Sequence, residues 1–265
     1  MIFGFAAWAE PSSLRTLLFR GSDLRPRFLD DSGCLASGVV GQLDWHEDNA
    51  LSAQLSVMSR RQRNQAAYLA LHRLQAPLLR IAMPGEWGVD PAAVDSLIQN
   101  GQAQMDGETN RGLQQAVIEL CSAPLFESEI EPEFAESFQL EAINGWLMLA
   151  EALGELSEAQ TGRIIHLARE LADYLDKYMK SSLTLVKGEG DRERYLDSVG
   201  GYLRSYDLGY FGTRNLEIEG ACHEAILAAL GHDELITSRV GHQLLDRCDE
   251  YSNQLASALM AFLMD

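Results

Sequence analysis

Two stretches of this chain repeat apolar residues every three or four positions, over lengths that no strand reaches. The first carries Ile143, Trp146, Leu147, Ala150 and Leu153, then Ile164, Leu167, Leu171, Leu175 and Tyr178. Gly154 ends one arm, and Ser157 with Glu158 begins the next. The second runs from Leu216 to Leu230, turns at Gly231-His232, and returns over 233–263 with Leu244, Cys248, Tyr251, Leu255, Leu259 and Phe262. Each pair of arms joined by a few residues predicts an antiparallel helical hairpin, 139–180 and 216–263. Both hairpins carry Ala-Leu-Gly near the turn and a His on the second arm, a likeness too slight for a repeat.

Shorter helices fit the rest from Glu47 onward. Ala67, Tyr68, Leu71 and Leu74 share one face of a helix opening at Ser59, with Pro77 expected to break or kink it. Gly85 and Gly88 flank Trp87 in a loop. Asp90-Pro91 supplies an N-cap and a first-turn proline for a helix through Val94, Leu97 and Ile98 to Gly101. Another helix fits Thr109 to Ser122. The expected fold class is all-α, a helical bundle of antiparallel hairpins in one domain over 1–265. It subdivides into an irregular segment 1–46, a helical core 47–186 and a C-terminal hairpin 191–265. Around Val39-Val40 the first segment fits a short strand or two as well as an ordered loop.

A chain of 265 residues, 46% hydrophobic, can bury a full core. It holds no apolar run of the roughly 18 residues that cross a bilayer. The apolar start lacks a basic flank and meets Glu10-Pro11 at once, so no secretory signal is expected. The four cysteines, Cys34, Cys121, Cys222 and Cys248, form no CxxC and suit a reducing, cytoplasmic setting.

Charge is segregated along the chain. Residues 1–80 carry a net +2, residues 81–162 a net −14 and residues 163–265 a net −6. Between Arg111 and Arg163 there are ten glutamates and no Lys or Arg. Such a surface repels nucleic acid and anionic membrane and attracts a basic partner. The candidate partner-binding residues are Asp106, Glu108, Glu127, Glu129, Glu131, Glu133 and Glu136, which steer association. Phe126, Ile130 and Phe134, with Leu125 beside them, supply apolar anchors. Tyr195, Tyr202, Tyr206 and Tyr210, spaced seven, four and four apart, form a second candidate surface or a packing seam between hairpins.

Enzymatic signatures are missing: no phosphate loop ending in Gly-Lys-Ser/Thr, no GxSxG and no HExxH. Cys222, His223 and His242 approach one another across the last hairpin if its turn centres on Gly231, which gives an alternative metal-binding or enzymatic reading. Their spacing fits no standard zinc pattern. No cofactor, metal or catalytic residue is therefore assigned. An acidic scaffold without a discrete site is the third reading.

Two resemblances bear on these alternatives. Ser59-Arg60-Arg61-Gln62-Arg63-Asn64-Gln65-Ala66-Ala67-Tyr68, Glu141-Ala142-Ile143-Asn144 and Ala150-Glu151-Ala152-Leu153 resemble an uncharacterised all-helical bacterial domain family over about 50–180. In being acidic, helical and motif-poor, the chain also resembles the immunity proteins of bacterial polymorphic toxin systems. That resemblance implies a cytoplasmic antitoxin, not an enzyme, which occludes the active site of a cognate basic toxin. The toxin's own target includes nucleic acid among the expected classes, while the antitoxin touches neither nucleic acid nor membrane.

Overall fold

A computed structural model describes residues 48–101, 111–126, 132, 134–152, 154–186, 209–229 and 235–263. The chain divides into two units, Met1–Asp44 and Trp45–Asp265, and all described residues belong to the second. The irregular segment 1–46, with its alternatives of a short strand or an ordered loop around Val39-Val40, lies outside the described residues.

Nine α-helices and no strand occur among the described residues. They are α1 (Asp48–Val57), α2 (Arg60–His72), α3 (Gln75–Arg80), α4 (Pro91–Gly101), α5 (Arg111–Cys121), α6 (Phe134–Glu151), α7 (Glu158–Val186), α8 (Tyr210–Ala228) and α9 (Arg239–Leu263). The unit is all-α, as the periodicity predicts. Among the described residues no helix is long and apolar enough to cross a membrane.

Helix α2 is the centre of the bundle. It packs on α6, α7, α8 and α9, and every residue from Asn64 to Leu71 is buried. Its alanines, Ala66, Ala67 and Ala70, keep the surrounding helices close. On α6, Gly145 sits where α2 and α7 converge. A β-carbon there would fall 2.6 Å from Leu71 and 2.8 Å from Leu167.

The polar residues that open α2 satisfy backbone carbonyls at the ends of its neighbours, groups that a helix leaves orphaned. Ser59 and Gln62 close a capping box, with Ser59 N–H donating to Gln62 Oε1 at 2.8 Å. Gln62 Nε2 then donates to Ile226 O in α8 at 2.8 Å. Arg63 Nε donates to Leu156 O at 3.1 Å, and Asn64 Nδ2 to Gly154 O at 2.6 Å. Gly154 follows α6 with φ +75°, the left-handed conformation that lets the chain reverse into α7. Arg60 pairs with Glu155, and Arg63 lies 3.9 Å from Glu158. The Arg-Arg-Gln-Arg segment is thus a clamp on the α6–α7 turn, where the basic first third of the chain meets the acidic middle.

Local capping chemistry marks several boundaries as expected. Asp90 Oδ1 accepts from Ala92 N–H at 2.9 Å at the start of α4. Ser157 Oγ accepts from Gln160 N–H at 3.2 Å at the start of α7. Three boundaries differ. The chain breaks at Arg73-Leu74, before Pro77, and Pro77 lies in the first turn of α3. A first-turn N–H has no helical acceptor, so proline is tolerated there and does not end the helix. Helix α8 begins at Tyr210, ahead of Leu216, because Asp176 of α7 accepts from Phe211 N–H (3.0 Å) and Gly212 N–H (2.7 Å) and so caps it from another helix. Helix α9 begins at Arg239, after the expected 233, where Ser238 Oγ accepts from Gly241 N–H at 3.0 Å.

Candidate functional site: an acidic hairpin beside a buried charge network

Most of the candidate partner-binding residues lie outside the described residues: Asp106, Glu108, Glu127, Glu129, Ile130, Glu131 and Glu133. Phe134 opens α6, Glu136 is half-buried in its first turn, and Phe126 is half-buried against the core. The helices fix where the acidic connectors attach. Residues 102–110 join α4 to α5, which pack together as a hairpin, and residues 127–133 follow the other end of α5. Helix α5 has 11 residues, about 16 Å along its axis, and the turn Pro124–Phe126 separates its end from residue 127.

The described neighbours of the second attachment point share its character. Ile118, 57% exposed, is followed by exposed Glu119 on α5. The short 3-10 turns Gly85–Trp87 and Pro124–Phe126 pack together there, with Glu86 exposed. Ile118 and Glu119 escaped the sequence reading. Helical periodicity places them opposite Leu113, Ala116 and Leu120, which is also the pattern of an ordinary solvated face.

The second candidate surface is described only at its end. Tyr195, Tyr202 and Tyr206 lie outside the described residues. Tyr210 donates to Gln254 Oε1 at 3.0 Å, and Phe211 meets the Tyr251 ring at 6.2 Å, so this end packs α8 on α9.

The alternative metal reading rested on Cys222, His223 and His242. Cys222 and His223 are buried, whereas His242 is exposed on α9. Among the described residues no group of three or more His, Cys, Asp or Glu side chains is placed to hold a metal ion. Cys222 and Cys248 are free thiols in the core.

A buried charge network that no sequence pattern signals links the end of α2 to α7 and α8. Arg73, Arg169 and Glu219 are all buried. Arg169 Nε donates to both Glu219 oxygens, at 3.2 and 3.1 Å, and its Nη2 reaches the same carboxylate. Arg73 Nη2 lies 3.8 Å from Glu219 Oε2, and Arg73 Nε donates to Asn215 Oδ1 at 2.8 Å. Two guanidiniums therefore share one carboxylate away from water, where breaking a pair is far costlier than at the surface.

His223 borders this network, and its Nδ1 meets Gln54 Oε1 of α1 at 2.8 Å. Burial lowers its pKa to about 4. Glu219 opposes that shift, and Arg73 and Arg169 add to it. The folded protein thus keeps a neutral imidazole where the unfolded chain takes up a proton near pH 6.5. The contribution to stability is complete above pH 6.5 and is lost as pH falls from there toward 4. Urea titrations across that window should show up to about 3 kcal/mol lost through this residue. His223→Gln, measured alongside, should flatten that part of the profile. An equal pH slope in both proteins would contradict a neutral buried His223.

A groove of about 380 Å³ lies between α1 and α7, with buried Leu51 and Leu55 against Gly162 and with Glu158, Arg163 and His166 around it. None of the candidate partner-binding residues lines it. In comparisons with known proteins, no family model, no curated protein and no solved structure matches this chain significantly.

Proposed function

We propose that this chain is an immunity protein: a stoichiometric cytoplasmic binder, not an enzyme, that covers the active site of a cognate basic toxin domain. The observation that carries the reading is the run from Arg111 to Arg163, with ten glutamates and no base. Soluble surfaces ordinarily mix both signs of charge. Glu155 and Glu158 of that run face Arg60 and Arg63 within the fold. Among the described residues, exposed Ile118 and Glu119 stand side by side on α5 and pair apolar surface with charge, as an interface needs. Charge steers the encounter and makes it sensitive to salt, while apolar anchors set how slowly the complex separates.

Charge reversal tests this. Glu129, Glu131 and Glu133 replaced together by Lys should slow association with the cognate toxin by about tenfold or more at low salt. The urea midpoint of the free protein, measured alongside, should be unchanged. Stopped-flow or surface-based kinetics give both rates. Association as fast as that of the parent protein would contradict the assignment of this face.

A further inference from the structure

Helix α1 is thinly held. From Ala50 to Val57 only Leu51 and Leu55 are buried, with Met58 just after them. The helix packs on α7, and that contact is incomplete. The groove of about 380 Å³ runs between the two, and a β-carbon on Gly162 would still lie 3.5 Å from Leu55. A segment with few buried apolar contacts opens at lower free energy than the core around it.

His223 of α8 lies beneath this helix. It is 3% exposed, and its Nδ1 meets Gln54 Oε1 at 2.8 Å. Gln54 is itself exposed, so α1 stands between the imidazole and water. The charged groups that face His223 among the described residues are Glu219 of α8 itself, Arg73 at the end of α2 and Arg169 of α7. From α1 it meets the neutral Gln54, and α9, also packed on α8, adds no charge to this set. Glu219 already accepts from Arg169. A proton on His223 therefore places a third cation around one carboxylate, away from water.

We propose that α1 is an acid-released strap: when His223 takes up a proton, α1 lifts from α7 and α8 while the rest of the bundle stays folded. The imidazolium gains water and remains on α8. The bonds of Arg73 to Asn215 and of Arg169 to Glu219 tie α2, α7 and α8 together without α1, so they persist. Lifting exposes Leu51, Leu55 and the surface of α7 around Gly162, and that loss of burial keeps the strap closed at neutral pH.

The direction follows from linkage. With α1 in place, burial lowers the His223 pKa to about 4, opposed by Glu219 and aided by Arg73 and Arg169. With α1 lifted, the ring returns toward its ordinary 6.5. Opening is therefore favoured increasingly as pH falls below 6.5, and the gain is complete near 4.

This inference is independent of the toxin-binding reading. Its test is amide exchange of the folded full-length protein at about pH 7.5 and about pH 5, mapped by peptide mass spectrometry and corrected for the chemical pH dependence of exchange. Corrected exchange of the α1 amides should rise by about thirtyfold at the lower pH, the ratio that a pKa of 6.5 open and about 4 closed gives. Amides of α2 and α6 should stay protected at both. In His223→Gln the response of α1 to pH should vanish. Gln54→Ala, a change at an exposed position, should raise α1 exchange already at neutral pH. Circular dichroism and the urea midpoint confirm that both variants are folded. Corrected α1 exchange that is equal at the two pH values would overturn the proposal. So would loss of protection in α1, α2 and α6 together, or an acid response of α1 that persists in His223→Gln.

Discussion

Replacing Glu219 by Gln should lower the unfolding free energy by about 3–5 kcal/mol, a large part of the total stability of a domain. The carboxylate accepts from Arg169 on one side and faces Arg73 at 3.8 Å on the other. The amide keeps the shape but removes the charge, so two cations remain buried and one carboxylate acceptor becomes a donor pointed at guanidinium. Exposed pairs such as Arg214–Glu217, 2.8 Å apart on the surface of α8, should change by less than about 1 kcal/mol when broken. The contrast separates burial from pairing. A further variant sharpens it: Arg73→Met, Arg169→Leu and Glu219→Leu together should recover much of the loss, because apolar groups need no charge partner. A Glu219→Gln penalty below about 1 kcal/mol in urea would contradict a network sealed from water.

The second large effect is expected at Trp146, 1% exposed at the junction of α2, α4 and α6. Its ring lies against Gly101 so closely that a β-carbon there would fall 2.4 Å from it, and Tyr68 meets it edge-on at 5.9 Å. Its indole N–H has no hydrogen-bond partner, so the residue acts through packing alone. Trp146→Ala should cost about 3–5 kcal/mol by opening a cavity that rigid helices fill poorly. Trp146→Phe should retain more than half of that. Because the ring braces the end of α4 where residues 102–110 begin, the alanine variant should also bring early amide exchange at Leu97 and Ile98. Wild-type exchange there, together with a small stability change, would contradict the packing account.

Much of the bundle was legible because helices announce themselves locally. Asp90-Pro91 and Ser157-Gln160 set caps from a few adjacent residues, and the buried faces of α7 and α9 follow from spacing alone. What escaped depends on residues far apart in the chain. Asp176 starts α8 from another helix, so its boundary could not be read from the α8 sequence. Arg73 has charged and polar partners on α8, and in a sequence an arginine between Leu71 and Leu74 reads as solvated. The periodicity places Cys248 on a buried face of α9, and it is buried. Pro77 misled for a different reason: the same ring that stops a helix in its interior is harmless in its first turn. The acidic candidate site was visible only as composition, since steering by charge needs no fixed geometry and leaves no motif.

The most direct test of the central claim is the association rate of the full-length protein with the protein it captures from its native cells, measured as ionic strength rises. The account predicts a single basic partner bound one to one, with an association rate that falls by about tenfold or more between low and moderate salt. The dissociation rate should change little. A partner that associates equally fast at both salts, or no stoichiometric basic partner at either, would contradict it and reduce the acidic run to a solvated surface.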